Sequence, residues 1–116
     1  MFTDLDAYRP TLIGLYLRLP DTPRRLSRYD LRLVRQLWER QIPLTTVETA
    51  LLLASARRAA RLPPAIPLGP IRSLHYFLPV LEELLHTSLR HGDAYLAYLR
   101  SKVALRPAAG HGSTIG

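Results

Sequence analysis

Apolar residues recur at intervals of three and four along most of this sequence, the spacing that places them on one face of an α-helix. The first stretch predicts a helix over residues 10–19, with Pro10 at its first position and Pro20 just after its end. Its apolar positions are Leu12, Ile13, Tyr16 and Leu19. No segment shows a clear strand pattern, so the periodicity indicates an all-α protein.

Two more helices are predicted on either side of a short turn. One runs over residues 28–40 with Ser27 as its N-cap. The other runs over residues 46–61 behind a capping box formed by Thr45 and Glu48. The first of these two helices has two apolar rows, one of Leu31, Val34 and Trp38 and the other of Leu33 and Leu37.

The remaining sequence divides into a linker, two helical segments and a tail. Residues 62–70 contain four prolines in nine positions and predict a stiff Pro-rich linker. Pro79 favours a short turn over residues 73–78 followed by a new helix, with one kinked helix as the alternative. A last helix precedes a flexible tail over residues 106–116. The expected fold is a single compact domain over residues 1–105, a bundle of four or five short helices.

Positive charge is concentrated in one third of the chain. The 116 residues include 16 basic and 9 acidic side chains, a net charge of +7, and all but one of the basic residues are arginines. Ten arginines and four acidic residues lie between Arg18 and Arg61, a local net charge of +6. Codon bias toward arginine would spread these residues evenly. The concentration therefore indicates a surface for an anionic partner, either nucleic acid or an acidic protein.

The segment 28–61 resembles a helix-turn-helix, in which the second helix enters the major groove of DNA. The resemblance implies that Thr45, Thr46 and Thr49 lie at the groove end of the second helix. Arg72, which lies beyond this segment, is a further candidate for base contact. The arginines expected to contact phosphates are Arg24, Arg25, Arg28, Arg32, Arg35, Arg57, Arg58 and Arg61.

Two features depart from the helix-turn-helix pattern. Gln41 and Pro43 occupy the turn in which a glycine is usual, and the long basic side chains lie at the far end of the second helix. The alternative interpretation is a plain helical hairpin with a solvated arginine face, whose terminal arginines favour the negative end of their own helix dipole.

The aromatic segment that follows extends the resemblance. Tyr76 and Phe77, close to Arg72, either stack on bases or anchor the linker on the core. Residues 27–85 resemble small helical modules of bacterial replication-initiation and mobile-element proteins, such as the C-terminal module of DnaD-type primosomal proteins. The resemblance implies contact with single- or double-stranded DNA and a helicase-loading or replisome partner, but it transfers no site residue.

Catalytic chemistry has little support in the sequence. Cysteine is absent, which excludes thiolate nucleophiles and thiolate metal sites, and there is no glycine-rich phosphate loop. Glu82, Glu83 and His86 give one E-x-x-H spacing, but the second copy required for a di-metal site in a bundle is missing. We therefore expect a protein that is not an enzyme and that uses no cofactor or metal.

The sequence thus predicts a cytoplasmic, non-catalytic DNA-binding module acting in replication, transposition or transcriptional control. No export signal or membrane span is recognisable, so no membrane association is expected. The alternative is a helical adaptor or dimerisation module whose basic face binds an acidic protein. A homodimer is also compatible with DNA binding, and the candidates for a docking surface are Tyr8, Tyr16, Tyr95 and Tyr98.

Overall fold

The computed structural model describes residues 4–61, 68–87 and 93–107, and in these ranges all regular structure is helical. Its elements are α1 (Leu5–Arg18), α2 (Arg28–Glu39), α3 (Leu44–Ala59), a 3-10 helix (Leu74–Phe77), α4 (Leu78–His86) and α5 (Asp93–Lys102). The predicted all-α class is confirmed. None of the described helices has both the length and the apolarity needed to cross a membrane.

The helix α3 lies at the centre of the molecule. It packs against α1, α4, α5 and the 3-10 helix, whereas α2 makes its main contacts with α1 and the 3-10 helix. Burial extends around most of α3 and includes Val47, Thr49, Ala50, Leu51, Leu52, Ala54 and Ser55. The predicted helix-turn-helix hairpin is therefore not confirmed, because the main contacts of α2 are with α1 and the 3-10 helix and not with α3.

The first helix begins earlier than its sequence predicts. It starts at Leu5, so Pro10 lies inside the helix rather than at its first position, and the prediction of a start at Pro10 was wrong. Pro10 removes one backbone hydrogen bond at this position. The turn before it is held by Tyr8, which is fully buried and whose hydroxyl donates a hydrogen bond to the Ile42 carbonyl at 2.8 Å. Tertiary burial therefore outweighs the local cost of the proline.

The start of α2 confirms the predicted cap. Ser27 Oγ accepts a hydrogen bond from the Asp30 N–H at 3.1 Å, and Asp30 Oδ2 accepts one from the Ser27 N–H at 3.0 Å. Only 1% of the Asp30 surface is exposed, and its Oδ1 accepts a third hydrogen bond, at 2.9 Å, from the Leu74 N–H. Asp30 thus caps its own helix and also fixes α2 to the 3-10 helix.

One residue of the two apolar rows predicted for α2, Leu31, does not belong to the buried face. Leu33, Val34 and Leu37 are buried, but Leu31 is 42% exposed and Trp38 is only partly buried. The buried face is centred on Leu33 and Leu37, and the polar Asp30 belongs to it because its carboxylate is fully hydrogen-bonded.

The turn between α2 and α3 uses a residue other than glycine in the left-handed region. Gln41 has a φ of 59°, its N–H donates to the Trp38 carbonyl at 2.8 Å, and the Ile42 N–H donates to the Leu37 carbonyl at 3.2 Å. These two bonds form a Schellman motif, the common ending of a helix. Gln41 therefore performs the conformational role for which a glycine is usual.

The capping box predicted at Thr45 and Glu48 was wrong. The helix α3 begins at Leu44 with Pro43 as its N-cap, and no side chain caps it. Glu48 instead accepts hydrogen bonds from Arg100 of α5, at 2.7 and 2.8 Å. The sequence pattern fitted a capping box, but a partner 52 positions away takes the carboxylate.

The segment around Pro79 follows the favoured prediction. A 3-10 helix over Leu74–Phe77 leads into α4, and Pro79 lies in the first turn of that helix, where its missing N–H costs little. Most of the predicted linker, residues 62–67, lies outside the described residues, as do residues 108–116 of the predicted tail.

The chain does not leave the domain at Arg106, where the tail was predicted to begin. The Arg106 N–H donates to the Arg18 carbonyl at 2.6 Å, and its Nη2 donates to the Leu17 carbonyl at 2.6 Å and to Thr22 Oγ1 at 2.8 Å. Because these carbonyls are the unpaired acceptors at the end of α1, Arg106 acts as a remote cap for that helix.

The buried Tyr8 predicts an alkaline loss of stability. Burial raises the pKa of Tyr8 from 10.0 to about 12. The folded protein then holds the proton more tightly than the unfolded chain, so the free energy of unfolding falls as the pH rises from 10 toward 12. We expect Tyr8→Phe to make this decline shallower in urea unfolding series, at a cost of about 1 kcal/mol at neutral pH for the lost hydrogen bond. The exposed Tyr98→Phe serves as the control, and an unchanged decline in Tyr8→Phe would contradict the assignment.

Candidate nucleic-acid interface

Most acidic side chains of the basic region are paired within the protein. Five ion pairs link Arg35 to Glu39, Arg40 to Glu82, Arg57 to Glu83, Arg58 to Asp21 and Arg100 to Glu48. These pairs use all four glutamates of the chain. The Arg40 guanidinium, through its hydrogen bonds, holds the pKa of Glu82 below its usual range.

Four of the arginines that lack an ion pair with the described residues lie together at the start of α2. Arg24, Arg25, Arg28 and Arg32 are exposed, and none of them forms an ion pair with the described residues. They lie on the loop before α2 and on the outward side of its first turns. We refer to these four residues as the α2 basic face. Arg35 continues the same side of the helix but is paired with Glu39 at 3.3 Å.

Helix stability does not explain this arrangement. The N-terminal end of a helix carries a partial positive charge, so cations placed there are unfavourable. Arg28 is the first residue of α2, and Arg25 and Arg24 lie two and three residues before its N-cap, Ser27. The arginines at the C-terminal end of α3 have the opposite setting, because there the dipole favours them. A favourable interaction with the helix dipole therefore explains the arginines at the end of α3 but not those at the start of α2.

Arg58 is part of the internal structure. Its side chain is only 9% exposed, and its Nε donates to Asp21 Oδ2 at 3.0 Å. Its Nη2 donates to the Gly69 carbonyl, and its guanidinium lies 5.5 Å from the centre of the Tyr76 ring. Burial acts to lower the pKa of Arg58, but the hydrogen bonds with Tyr76 and Asp21 outweigh it and raise this pKa. Arg58 thus ties α3 to two neighbouring segments.

The structure separates the other predicted contact residues into different settings. Arg57 donates to both carboxylate oxygens of Glu83, at 2.7 and 2.8 Å. Arg61 and Arg72 are exposed and have no ion pair within the described residues. Thr45 is exposed, Thr46 is half-buried, and Thr49 is buried with its hydroxyl donating to the Thr45 carbonyl at 2.7 Å.

Arg58→Gln is expected to lower the free energy of unfolding by about 2 kcal/mol, because it removes charge-assisted hydrogen bonds from a nearly buried group. The matched control is Arg61→Gln, because Arg61 lies three residues further along the chain and its side chain is exposed. We expect this control to change stability by less than about 0.5 kcal/mol. Equal stability of the two variants in urea unfolding would contradict the structural role of Arg58.

One side chain of this surface was missed by the sequence analysis. Tyr29 lies next to Arg28 and is 64% exposed, the most exposed large apolar side chain among the described residues. The guanidinium of Arg32 lies 5.9 Å from the centre of its ring. The sequence contains one indication of this exposure. Tyr29 lies outside both apolar rows of α2, so the predicted core has no place for it.

The described residues offer no group of three histidine or acidic side chains placed to hold a metal ion. Glu82 and Glu83 are engaged by Arg40 and Arg57, and the His86 ring nitrogen Nδ1 lies 2.7 Å from the Glu82 carbonyl oxygen.

Comparison of the chain with protein-family models, curated proteins and solved structures finds no match.

Proposed function

We propose that this chain is a non-catalytic DNA-binding module that contacts phosphates through the α2 basic face. The observation that supports the proposal is the concentration of uncompensated arginine charge at the start of α2, where a helix disfavours cations. Selection for stability would not place these residues there, whereas a polyanionic ligand would be attracted by the arginines.

Arginine suits phosphate because its planar guanidinium can donate two parallel hydrogen bonds to one phosphate group. The side chains of α3 are largely used in the core, so few of them remain for contacts with base edges. We therefore expect electrostatic binding with little dependence on base sequence. The role in replication, transposition or transcriptional control rests on the sequence resemblance alone and is part of the proposal. So is the cytoplasmic location, which was expected from the sequence because it has no cysteine and no recognisable export signal.

Fluorescence anisotropy of short labelled DNA at several salt concentrations tests the proposal. Four phosphate contacts at about 0.9 each predict a slope of about −3.6 for the logarithm of the duplex association constant against the logarithm of salt. A folded protein without measurable binding at low salt would contradict the proposal.

An acidic protein partner is the competing function, and salt alone does not distinguish it because both complexes weaken with salt. Competition distinguishes them. Unlabelled DNA of unrelated sequence should displace the labelled DNA, whereas polyglutamate at the same charge concentration should displace it poorly. Stronger displacement by polyglutamate would favour the adaptor.

A further inference from the structure

We infer that the α2 basic face prefers single-stranded DNA over duplex, and that Tyr29 is the platform on which one base stacks. This inference rests on the proposed function and concerns the same surface. It assigns a ligand-contacting role to a tyrosine for which the fold has no evident use.

The setting of Tyr29 differs from that of a residue that stabilises the core. Tyr29 is 64% exposed and follows Arg28 in the chain, while the Arg32 guanidinium lies 5.9 Å from the centre of its ring in a cation–π geometry. Most of the surface of this residue remains in solvent. An aromatic ring among arginines that lack ion pairs is the combination by which proteins bind single strands, because bases stack on the ring and the cations follow the phosphates.

The strand preference follows from which parts of DNA are accessible. In a duplex the faces of the bases are stacked on one another, so a surface tyrosine cannot contact them without opening the helix. Duplex recognition by a helix-turn-helix requires a helix that projects into the groove. Here the helix in that position, α3, is packed against α1, α4 and α5. A single strand requires only a ring and a row of cations, and the α2 basic face supplies both.

The chain provides a matched control for the tyrosine. Tyr98 on α5 is 54% exposed, and Lys102 lies 5.4 Å from the centre of its ring. It therefore has a similar exposure and the same kind of cation contact, but it lies on a different helix from the α2 basic face.

The test compares a labelled oligothymidine strand with a duplex of equal length at one salt concentration. For the wild type we expect tighter binding of the single strand. Tyr29→Ala should weaken single-strand binding roughly 5- to 150-fold, the loss of one base stack, and leave duplex binding unchanged. Tyr29→Phe, which keeps the ring, and Tyr98→Ala should both stay within about twofold of the wild type.

Each other outcome has a distinct meaning. If the wild type binds duplex at least as tightly as the single strand, or if Tyr29→Ala binds the single strand as tightly as the wild type, the inference is overturned and the proposed function remains. An equal loss for both kinds of DNA also overturns it, because that loss indicates a damaged surface. If the wild type binds neither ligand, the proposed function itself fails.

Discussion

Replacing Asp30 with alanine is expected to lower the free energy of unfolding by about 3 kcal/mol. The Asp30 carboxylate is almost completely buried and accepts hydrogen bonds from the Ser27 and Leu74 N–H groups. Alanine would leave both donors without their partner and would remove half of the capping box of α2. Since domains of this size are stable by roughly 5–15 kcal/mol, the change is large enough to be measured reliably by urea unfolding.

The control for Asp30 is another aspartate in a first helical turn. Asp6 is the second residue of α1 and is exposed, so Asp6→Ala loses only a favourable interaction with the helix dipole, about 0.5 kcal/mol. Ser27→Ala removes the other half of the capping box and should cost about 1 kcal/mol. If Asp30→Ala were no worse than Ser27→Ala, the bond that joins α2 to the 3-10 helix would contribute nothing to stability.

The double variant Arg28→Gln, Arg32→Gln is expected to weaken DNA binding about 30-fold, taking about 1 kcal/mol for each charge-assisted contact. The salt slope should become shallower by about 1.8, since each lost phosphate contact contributes about 0.9. Stability should be unchanged or slightly higher, because Arg28 occupies the end of α2 that disfavours cations. Anisotropy titrations and thermal unfolding of the same samples measure both effects.

A charge-matched variant shows whether position matters. The double variant Arg61→Gln, Lys102→Gln also removes two positive charges. Arg61 is exposed just beyond the end of α3, and Lys102 is exposed at the end of α5. We expect this control to weaken binding only slightly, through the reduced net charge. Equal losses in the two double variants would mean that overall charge, and not the α2 basic face, governs binding.

Local patterns in the sequence predicted the fold class well. The spacing of apolar residues and the punctuation by proline located four of the five helices of the described residues closely, including the new helix at Pro79. These local patterns failed where contacts between residues far apart in the sequence determine the local structure. Pro10 is accepted inside α1 because Tyr8 is anchored to Ile42, and Glu48 leaves its predicted cap because Arg100 binds it.

The same limit applies to the candidate site. The sequence locates the excess of arginine between Arg18 and Arg61, but it cannot show which arginines are neutralised by carboxylates far along the chain. Glu82 and Glu83, which the sequence singles out only through an E-x-x-H spacing, pair with Arg40 and Arg57 in the structure. Only the tertiary arrangement separates the paired Arg57 and Arg58 of α3 from the α2 basic face, whose arginines have no ion pair within the described residues.

The most direct test of the α2 basic face is a map of amide chemical shifts by nuclear magnetic resonance, recorded while a short DNA strand is added to the full chain. We expect the largest changes in residues 24–36, with little change in residues 44–49 at the start of α3. The largest changes at residues 44–49, or in 57–61 at the end of α3, would contradict the placement and favour a helix-turn-helix mode in which α3 contacts the DNA.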